Sequence, residues 1–232
     1  MNLYRSAAVA AVLSAISIGA NAAPVTLFGD DVSFSFDDAS LYGEAIVVGN
    51  SIFFQPTDFR AESLNGQGAV SVTDTLNITV EVTTSGYTMT EFTMAEFGDY
   101  ELSAGATSVT ASGRLQLTSQ TETCPPINFP CFDSEAFNVS GLDTVGAATD
   151  WSGGTTIDLG DTAGWGSDTL VTAQMQNNLS ATTLANGERA FIQKKANGIG
   201  LEVSVVPVPA AVWLFGSALG MLGWMRRRSV AS

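Results

Sequence analysis

The feature that most limits the fold is a repeated alternation of apolar and polar residues. Residues 32–36 and 76–82 place an apolar side chain at every second position, and the pattern recurs at 115–117 and 199–205. Successive side chains of a strand point to opposite faces of a sheet, so these segments are typical of half-buried strands. No segment between the two ends of the chain carries a long apolar stripe with helical spacing. The pattern predicts an all-β fold.

Expected turns join these strands. Asn and Gly adopt positive φ at low cost in two-residue hairpins, and three such pairs occur, namely Asn65-Gly66, Asn186-Gly187 and Asn197-Gly198. The last two separate residues 174–184, 189–196 and 199–205, which predicts an antiparallel meander. Since crossover helices are missing, the sequence predicts a single antiparallel β-sandwich or jelly-roll-like domain over residues 23–205, with about eight to twelve short strands.

Residues 1–22 are organised like a secretory signal peptide. Arg5 precedes an apolar or small stretch over residues 7–18, and Ala20 and Ala22 supply the small-x-small pattern that signal peptidase accepts. The apolar stretch is too short for a comfortable transmembrane helix. We expect cleavage after Ala22 and export by the Sec machinery.

The C-terminal segment, residues 206–232, has an apolar run followed by basic residues, which is the arrangement of a membrane stop-transfer signal. Residues 210–225 contain no charge, and Arg226, Arg227 and Arg228 follow them. A helix over 210–225 would span about 24 Å against a hydrocarbon core of about 30 Å, which predicts a short transmembrane helix. Arginines beside such a helix stay on the cytoplasmic side, so the preceding chain is expected outside the cytoplasm.

The residues in front of this helix carry a resemblance to a known family. Val206, Pro207, Val208, Pro209 and Ala210, with the apolar run and the arginines, resemble the PEP-CTERM sorting signal in its VPLPA variant. Where the namesake motif has Glu, this chain has Val208, which favours the apolar variant.

This resemblance implies a destination more than an activity. A membrane-embedded exosortase is expected to recognise and cleave the chain near its Pro-x-Pro motif, after transient residence in the inner membrane of a Gram-negative bacterium. The product would be a non-catalytic cell-surface or matrix protein, associated with biofilm or extracellular polysaccharide. A plain C-terminal membrane anchor is the alternative interpretation.

The part between the two ends is strongly acidic. All 23 Asp and Glu residues lie there, whereas four of the nine Lys and Arg residues lie in the terminal segments. The remaining five basic residues leave a net charge near −18. Such a charge repels nucleic acid and anionic lipid surfaces, so nucleic-acid binding is excluded. A solvated acidic surface and divalent-cation binding by carboxylates both remain open.

Cys124 and Cys131 are the only cysteines, and three of the six residues between them are prolines. In an oxidising compartment we expect them to pair and to staple a protruding hairpin tip rather than the core. A redox pair or a metal site would call for Cys-x-x-Cys spacing or further ligands, and neither is present.

Catalysis is limited by the absence of histidine. Ser-His-Asp and Cys-His arrangements and the common His-based zinc sites are thereby excluded. A secreted hydrolase that uses two carboxylates stays an alternative, and its candidates are Asp30-Asp31, Asp37-Asp38 and the region 158–168. We nevertheless expect a protein that is not an enzyme.

Residues 153–168 are predicted to form a surface loop rich in Gly and Asp. Asp158, Asp161 and Asp168 are candidate calcium ligands there, although the segment matches neither an EF-hand nor the nonapeptide calcium repeat. Trp151 and Trp165 form either a sugar-stacking face or part of the core. A calcium-dependent carbohydrate-binding module is therefore the alternative function, and calcium is its one candidate cofactor.

Overall fold

The computed structural model describes residues 24–37, 41–103, 107–126 and 129–208. The predicted signal peptide and the tail from Pro209 onward, including the predicted transmembrane helix over 210–225, lie outside these ranges. Within them, no helix is long and apolar enough to cross a membrane.

The described chain is built almost wholly of strands. They are β1 (Val25–Phe28), β2 (Val32–Phe36), β3 (Glu44–Val48), β4 (Ser51–Gln55), β5 (Arg60–Leu64), β6 (Gly68–Val82), β7 (Tyr87–Leu102), β8 (Ser108–Cys124), β9 (Phe129–Asn138), β10 (Thr149–Asp158), β11 (Leu170–Thr183) and β12 (Arg189–Pro207). A single 3-10 turn, Leu159–Asp161, follows β10.

The strands form two antiparallel sheets. Sheet A has the order β1-β2-β6-β11-β8-β9, and sheet B has the order β10-β7-β12-β4-β3. The strand β5 pairs with the first part of β12, upstream of the part that pairs with β4. The predicted all-β, antiparallel, sandwich-like fold is confirmed.

The core lies between the sheets and follows the alternation in the sequence. In β11, every second side chain is buried, as shown by Val171, Ala173, Met175, Leu179 and Ala181, while the residues between them are partly exposed. Strand β7 of sheet B repeats this pattern over most of its length. Burial of these apolar side chains is the main force that holds the layers together.

Two of the three Asn-Gly pairs lie at turns, as predicted. Asn65 and Gly66 have φ of 53° and 74° between β5 and β6, and Gly187 has φ of 85° between β11 and β12. Asn197 also has a positive φ, 57°, but it lies inside β12, where the pairing with β7 shifts register. Here the left-handed residue makes a bulge instead of a reversal.

The predicted meander over residues 174–205 is therefore wrong in two respects. The last strand is continuous over Arg189–Pro207, because the chain absorbs Asn197 as a bulge. In addition, β11 belongs to sheet A and β12 to sheet B, so the Asn186-Gly187 turn passes between layers. Several strands are also much longer than the short ones expected.

The disulfide between Cys124 and Cys131 is confirmed, with a Cα–Cα distance of 4.9 Å. It closes the β8–β9 hairpin. Cys131 is fully buried and Cys124 packs against the core cluster. The expectation that the disulfide links a protruding hairpin tip outside the core is wrong, because the Cys131 side chain lies on the inward face of β9.

Candidate functional site

Asp168, one of the predicted calcium ligands, is only 3% exposed and acts as a clamp. Its Oδ2 accepts hydrogen bonds from the Ser119 hydroxyl and, at 3.1 Å, from the Trp165 indole N–H. Its Oδ1 accepts from the Thr121 hydroxyl and from the backbone N–H groups of the next two residues, at 2.7 and 3.1 Å. The backbone of Asp168 also pairs with Met89 of β7. The clamp therefore joins β8 of sheet A to β7 of sheet B.

The other two candidate ligands lie on the surface. The Asp158 carboxylate caps the 3-10 turn by accepting the Gly160 N–H at 2.7 Å, and Asp161 is exposed within that turn. Over the ranges that the structure describes, no three His, Cys, Asp or Glu side chains come together in a way that could hold a metal ion. The first part of the predicted loop, up to Asp158, is strand β10 instead.

The two tryptophans belong to the core. Trp151 is 5% exposed and Trp165 is 7% exposed, so the idea that they form a sugar-stacking face is wrong. Trp151 takes an inward position of β10 and packs over Gly98, where a Cβ would lie 2.5 Å from the indole. Trp165 is held by its hydrogen bond to Asp168.

The carboxylate pairs proposed for a hydrolase are placed only in part. Asp30 and Asp31 lie in the turn between β1 and β2. The Asp31 carboxylate accepts from the Asn50 amide at 3.2 Å, and the Asn50 oxygen accepts from the Asp31 backbone at 2.8 Å. Asp37 ends the first described range, and Asp38 lies outside the described residues.

A polar cluster that the sequence patterns did not predict lies between the sheets. Lys194 of β12 donates to Glu96 of β7 and, at 3.2 Å, to the Asn177 side-chain oxygen of β11. The Asn177 amide in turn donates to the Tyr42 hydroxyl at 3.0 Å, and that hydroxyl donates to the Met175 carbonyl at 2.6 Å. We call Lys194, Glu96, Asn177 and Tyr42 the buried cluster. It bridges sheet B and sheet A.

Burial decides the electrostatics of this cluster. The side chains of Lys194 and Glu96 have no exposed surface. Burial raises the pKa of Glu96 to about 7, although Lys194 opposes the rise. Burial also lowers the pKa of Lys194, and Glu96 opposes that change. Desolvation thus favours an uncharged amine beside an uncharged carboxyl.

Aromatic rings surround the buried amine. The Lys194 Nζ lies 5.3 Å from the Phe59 ring centre and 5.4 Å from the Trp151 ring centre. The second oxygen of Glu96, Oε1, is buried and has no hydrogen-bond partner among the described residues. The amine and the carboxyl group are therefore shielded from bulk solvent by the surrounding side chains.

The alternation did carry a signal for this cluster. Glu96 follows Phe92 and Met94 on the inward face of β7, and Lys194 follows Ile192 on the inward face of β12. A charged residue at a position that the pattern assigns to the core points to a paired or functional group. The sequence does not show that the two positions meet.

The outer face of sheet A differs in character from the rest of this acidic chain. The outward side chains of its three central strands lie in register, and we call them the polar face: Ser71, Thr73, Thr75, Asn77 and Thr79 on β6; Thr172, Gln174, Gln176, Asn178 and Ser180 on β11; Thr110, Ser112, Arg114, Gln116 and Thr118 on β8. These residues form five consecutive cross-strand rows in which Arg114 is the one charged side chain, and Glu81 faces outward on β6 one row beyond them. The polar face is thus a surface of amides and hydroxyls.

A shallow cleft of about 290 Å³ lies on the polar face. Its lining comes from β6, β8, β9 and β11, and comprises Thr73, Ser112, Gly113, Arg114, Ala136, Phe137, Asn138, Gln176 and Asn178. Phe132 pairs with Thr118 at the same side of the sheet and is 51% exposed. The cleft therefore offers amides and hydroxyls, and the Phe132 ring is exposed on the same face outside the cleft lining.

The outer face of sheet B carries charges instead. Arg189 lies between Glu62 and Glu101 at 2.8 and 2.7 Å, and Lys195 pairs with Asp150. These exposed pairs contribute little to stability. They show that the absence of carboxylates from the polar face is not a general property of the molecule's surface.

Neither a family model nor a curated protein matches the sequence. Among solved structures, the chain is similar to one of infectious bursal disease virus, Gx strain, at 12% identity and a TM-score of 0.37, over 79% of this chain and 37% of that chain. A structure from the Gt strain of that virus is similar at 14% identity and a TM-score of 0.29, over 80% of this chain and 48% of that chain. This chain therefore spans about half or less of the viral chains.

A third similarity is to a carbohydrate-binding module of the β-sandwich superfamily described as promiscuous in specificity. It has 13% identity and a TM-score of 0.21, over 75% of this chain and 74% of that chain. Similarities of this size carry no inference about activity.

Proposed function

We propose that this chain is an exported, non-catalytic protein of the cell surface or extracellular matrix, and that its polar face binds a neutral polysaccharide. The observation that carries this proposal is the composition of the polar face, in which every side chain except Arg114 is an amide or a hydroxyl, on a chain of net charge −14. Function is thus assigned to a surface and not to a catalytic centre.

The chemistry of the polar face suits sugars. Amide and hydroxyl side chains both donate and accept hydrogen bonds, as sugar hydroxyls do. Gln176 and Asn178 of the middle strand line the cleft, and Phe132 offers an exposed ring elsewhere on the same face of the sheet, where β9 pairs with Thr118. The acidic surface elsewhere repels polyanions, which favours a neutral polymer over an acidic one.

Delivery to the surface is the second part of the proposal. The signal peptide directs Sec export, and the C-terminal tail is then held transiently in the inner membrane. An exosortase cleaves the chain near Pro207 at that stage. The disulfide supports export, because disulfides persist in oxidising compartments. The recognised segment, Val206 to Ala210, begins at the end of β12.

Binding can be tested with the mature protein and matrix polysaccharides fractionated by charge. We expect calorimetric binding to the neutral fraction, unchanged by EDTA. Gln176→Ala with Phe132→Ala should weaken it about tenfold or more, since each lost contact is worth about 1 kcal/mol. Phe97→Ala is the matched control, because Phe97 is a similarly exposed ring, 47%, on β7 of sheet B. Loss of binding in Phe97→Ala alone would move the site to the other face.

Delivery can be tested by intact mass and by terminal sequencing of the protein from envelope and medium fractions of its own host. We expect residues 1–22 and the residues beyond the Pro207 region to be missing. Retention of 208–232 in a membrane fraction would refute exosortase processing and favour an anchored protein. Polysaccharide binding would be untouched by that result.

A further inference from the structure

The buried cluster brings together an amine, an amide and a carboxyl group inside the core, away from bulk solvent. The Lys194 Nζ lies 3.2 Å from the Asn177 side-chain oxygen, and the Glu96 carboxyl is hydrogen-bonded to the same Nζ. The three residues come from three strands, and Asn177 belongs to the opposite sheet from the other two. Asn177 and Glu96 have no exposed surface.

We propose that Lys194 and Asn177 form an intramolecular isopeptide bond that links β12 of sheet B to β11 of sheet A, with Glu96 as the catalytic residue that moves the protons. This covalent modification is independent of the function proposed for the polar face. It requires no metal, oxidant or external reactant.

The reaction balances within the cluster. The lone pair of the neutral Lys194 Nζ attacks the side-chain carbonyl carbon of Asn177, and an Nζ–Cγ bond forms. The Cγ–Nδ2 bond then breaks, and one molecule of ammonia leaves. Glu96 gives its proton to the departing nitrogen and takes one from Nζ, so the carboxyl group is regenerated.

The surroundings favour this chemistry over a permanent ion pair. Burial lowers the pKa of Lys194 and raises that of Glu96, so both shifts favour the neutral amine and the protonated acid that the reaction needs. The rings of Phe59 and Trp151 flank the amine and exclude water.

Tyr42 positions the amide. Its hydroxyl accepts the Nδ2 hydrogen bond of Asn177 at 3.0 Å and is itself fixed by donating to a β11 carbonyl. The carbonyl side of the amide therefore faces Lys194, and the nitrogen that must leave is held at the Tyr42 hydroxyl until it turns to accept the proton of Glu96.

Formation of the isopeptide bond would also relieve the energetic cost of burying the Lys194 amine beside the Glu96 carboxyl group. Desolvation makes a buried ion pair costly, and the attraction between its charges offsets that cost only when every polar atom is hydrogen-bonded. The Glu96 Oε1 has no partner among the described residues. An amide bond removes the buried amine, and Glu96 then stays as a neutral carboxyl group that can donate to the new amide.

Mass spectrometry of the full mature protein tests the proposal. We expect the intact mass to be lower than the sequence mass by one ammonia molecule, apart from the two hydrogens lost in the disulfide. Proteolysis should then give a branched peptide containing both residue 177 and residue 194. This peptide distinguishes the cross-link from ammonia loss by cyclisation of an asparagine with its own backbone.

Three variants sharpen the test. Glu96→Gln and Lys194→Met should both keep the full mass and give no branched peptide. Asn177→Asp should still form the bond, because water leaves in place of ammonia, and its product should have the same mass as the wild-type product. Near-ultraviolet circular dichroism checks that each variant folds.

Two results would overturn the proposal. A folded wild-type protein of full mass without a branched peptide refutes the bond itself, whatever the variants do. A branched peptide that forms equally fast in folded Glu96→Gln refutes the role of Glu96. Since the wild-type measurement alone decides the first point, failure of a variant to fold does not protect the proposal.

Discussion

The Asp168 clamp gives the sharpest stability prediction. Asp168→Asn keeps the size of the side chain but replaces one oxygen by an NH2 group. On the Oδ1 side that group would face two backbone N–H donors, and on the Oδ2 side it would face the Trp165 indole N–H. Hydroxyls such as that of Ser119 can reverse their direction, but N–H groups cannot. At least one buried donor therefore loses its acceptor in either orientation.

The magnitude follows from that count. A buried donor left without an acceptor costs about 1–3 kcal/mol, and bonds to a charged group lie at the upper end of the range. We expect Asp168→Asn to lower the free energy of unfolding by about 3 kcal/mol. For a domain of about 180 residues this lowers Tm by about 6–12 °C.

Urea unfolding followed by tryptophan fluorescence measures this loss, with Asp158→Asn as the matched control. Asp158 is exposed and only caps the 3-10 turn, a role that Asn fills as well, so this control should change stability by less than about 0.5 kcal/mol. Equal stability of wild type and Asp168→Asn would refute the reasoning. A calcium-dependent rise in wild-type Tm that disappears in Asp168→Asn would restore the calcium hypothesis.

Three further predictions concern single features of the sandwich. Gly98→Ala should lower the free energy of unfolding by about 3 kcal/mol or more in thermal unfolding, because the added Cβ would lie 2.1 Å from a β12 carbonyl oxygen. The control is Gly187→Ala, which lies in open space at φ of 85° and should cost only about 1–2 kcal/mol. Similar losses for both variants would contradict this prediction. Replacing Cys124 and Cys131 by Ala should lower the free energy of unfolding in urea by about 2.5 kcal/mol, because the disulfide closes a loop with a sequence separation of 7. An unchanged urea midpoint would show that the disulfide does not stabilise the hairpin. Tyr42→Phe should cost about 1–3 kcal/mol in the same assay, because it leaves the buried Met175 carbonyl without the phenol donor, and a neutral effect would mean that the phenol is dispensable.

The fold class was predictable because alternation reports which side chains face inward. It correctly marked β2 and parts of β6, β8 and β12. Alternation does not report which strand is the neighbour, since that depends on contacts between residues far apart in the chain. The β11–β12 connection illustrates the limit: an Asn-Gly turn reads as a hairpin, yet it carries the chain from one sheet to the other.

Predictions from local residue types also failed where the same residue type occurs in two different structural settings. Positive φ at Asn197 suits either a reversal or a bulge, and only the long pairing of β12 with β7 selects the bulge. Asp168 looked like a surface ligand because Gly and Asp surround it in sequence. Its environment in the fold comes from β7 and β8, which its neighbours in sequence do not reveal.

Position along β12 connects the buried cluster with the proposed route of the protein. The strand runs to Pro207, where the proposed sorting motif lies, so any pull on a membrane-held or surface-attached tail enters the sandwich through β12. Strand pairing joins β12 to β7, β4 and β5, all within sheet B. Lys194 is the point at which β12 reaches Asn177 of sheet A. An isopeptide bond there would pass the load to both layers, so that separating the sheets would require breaking a covalent bond in addition to the apolar core.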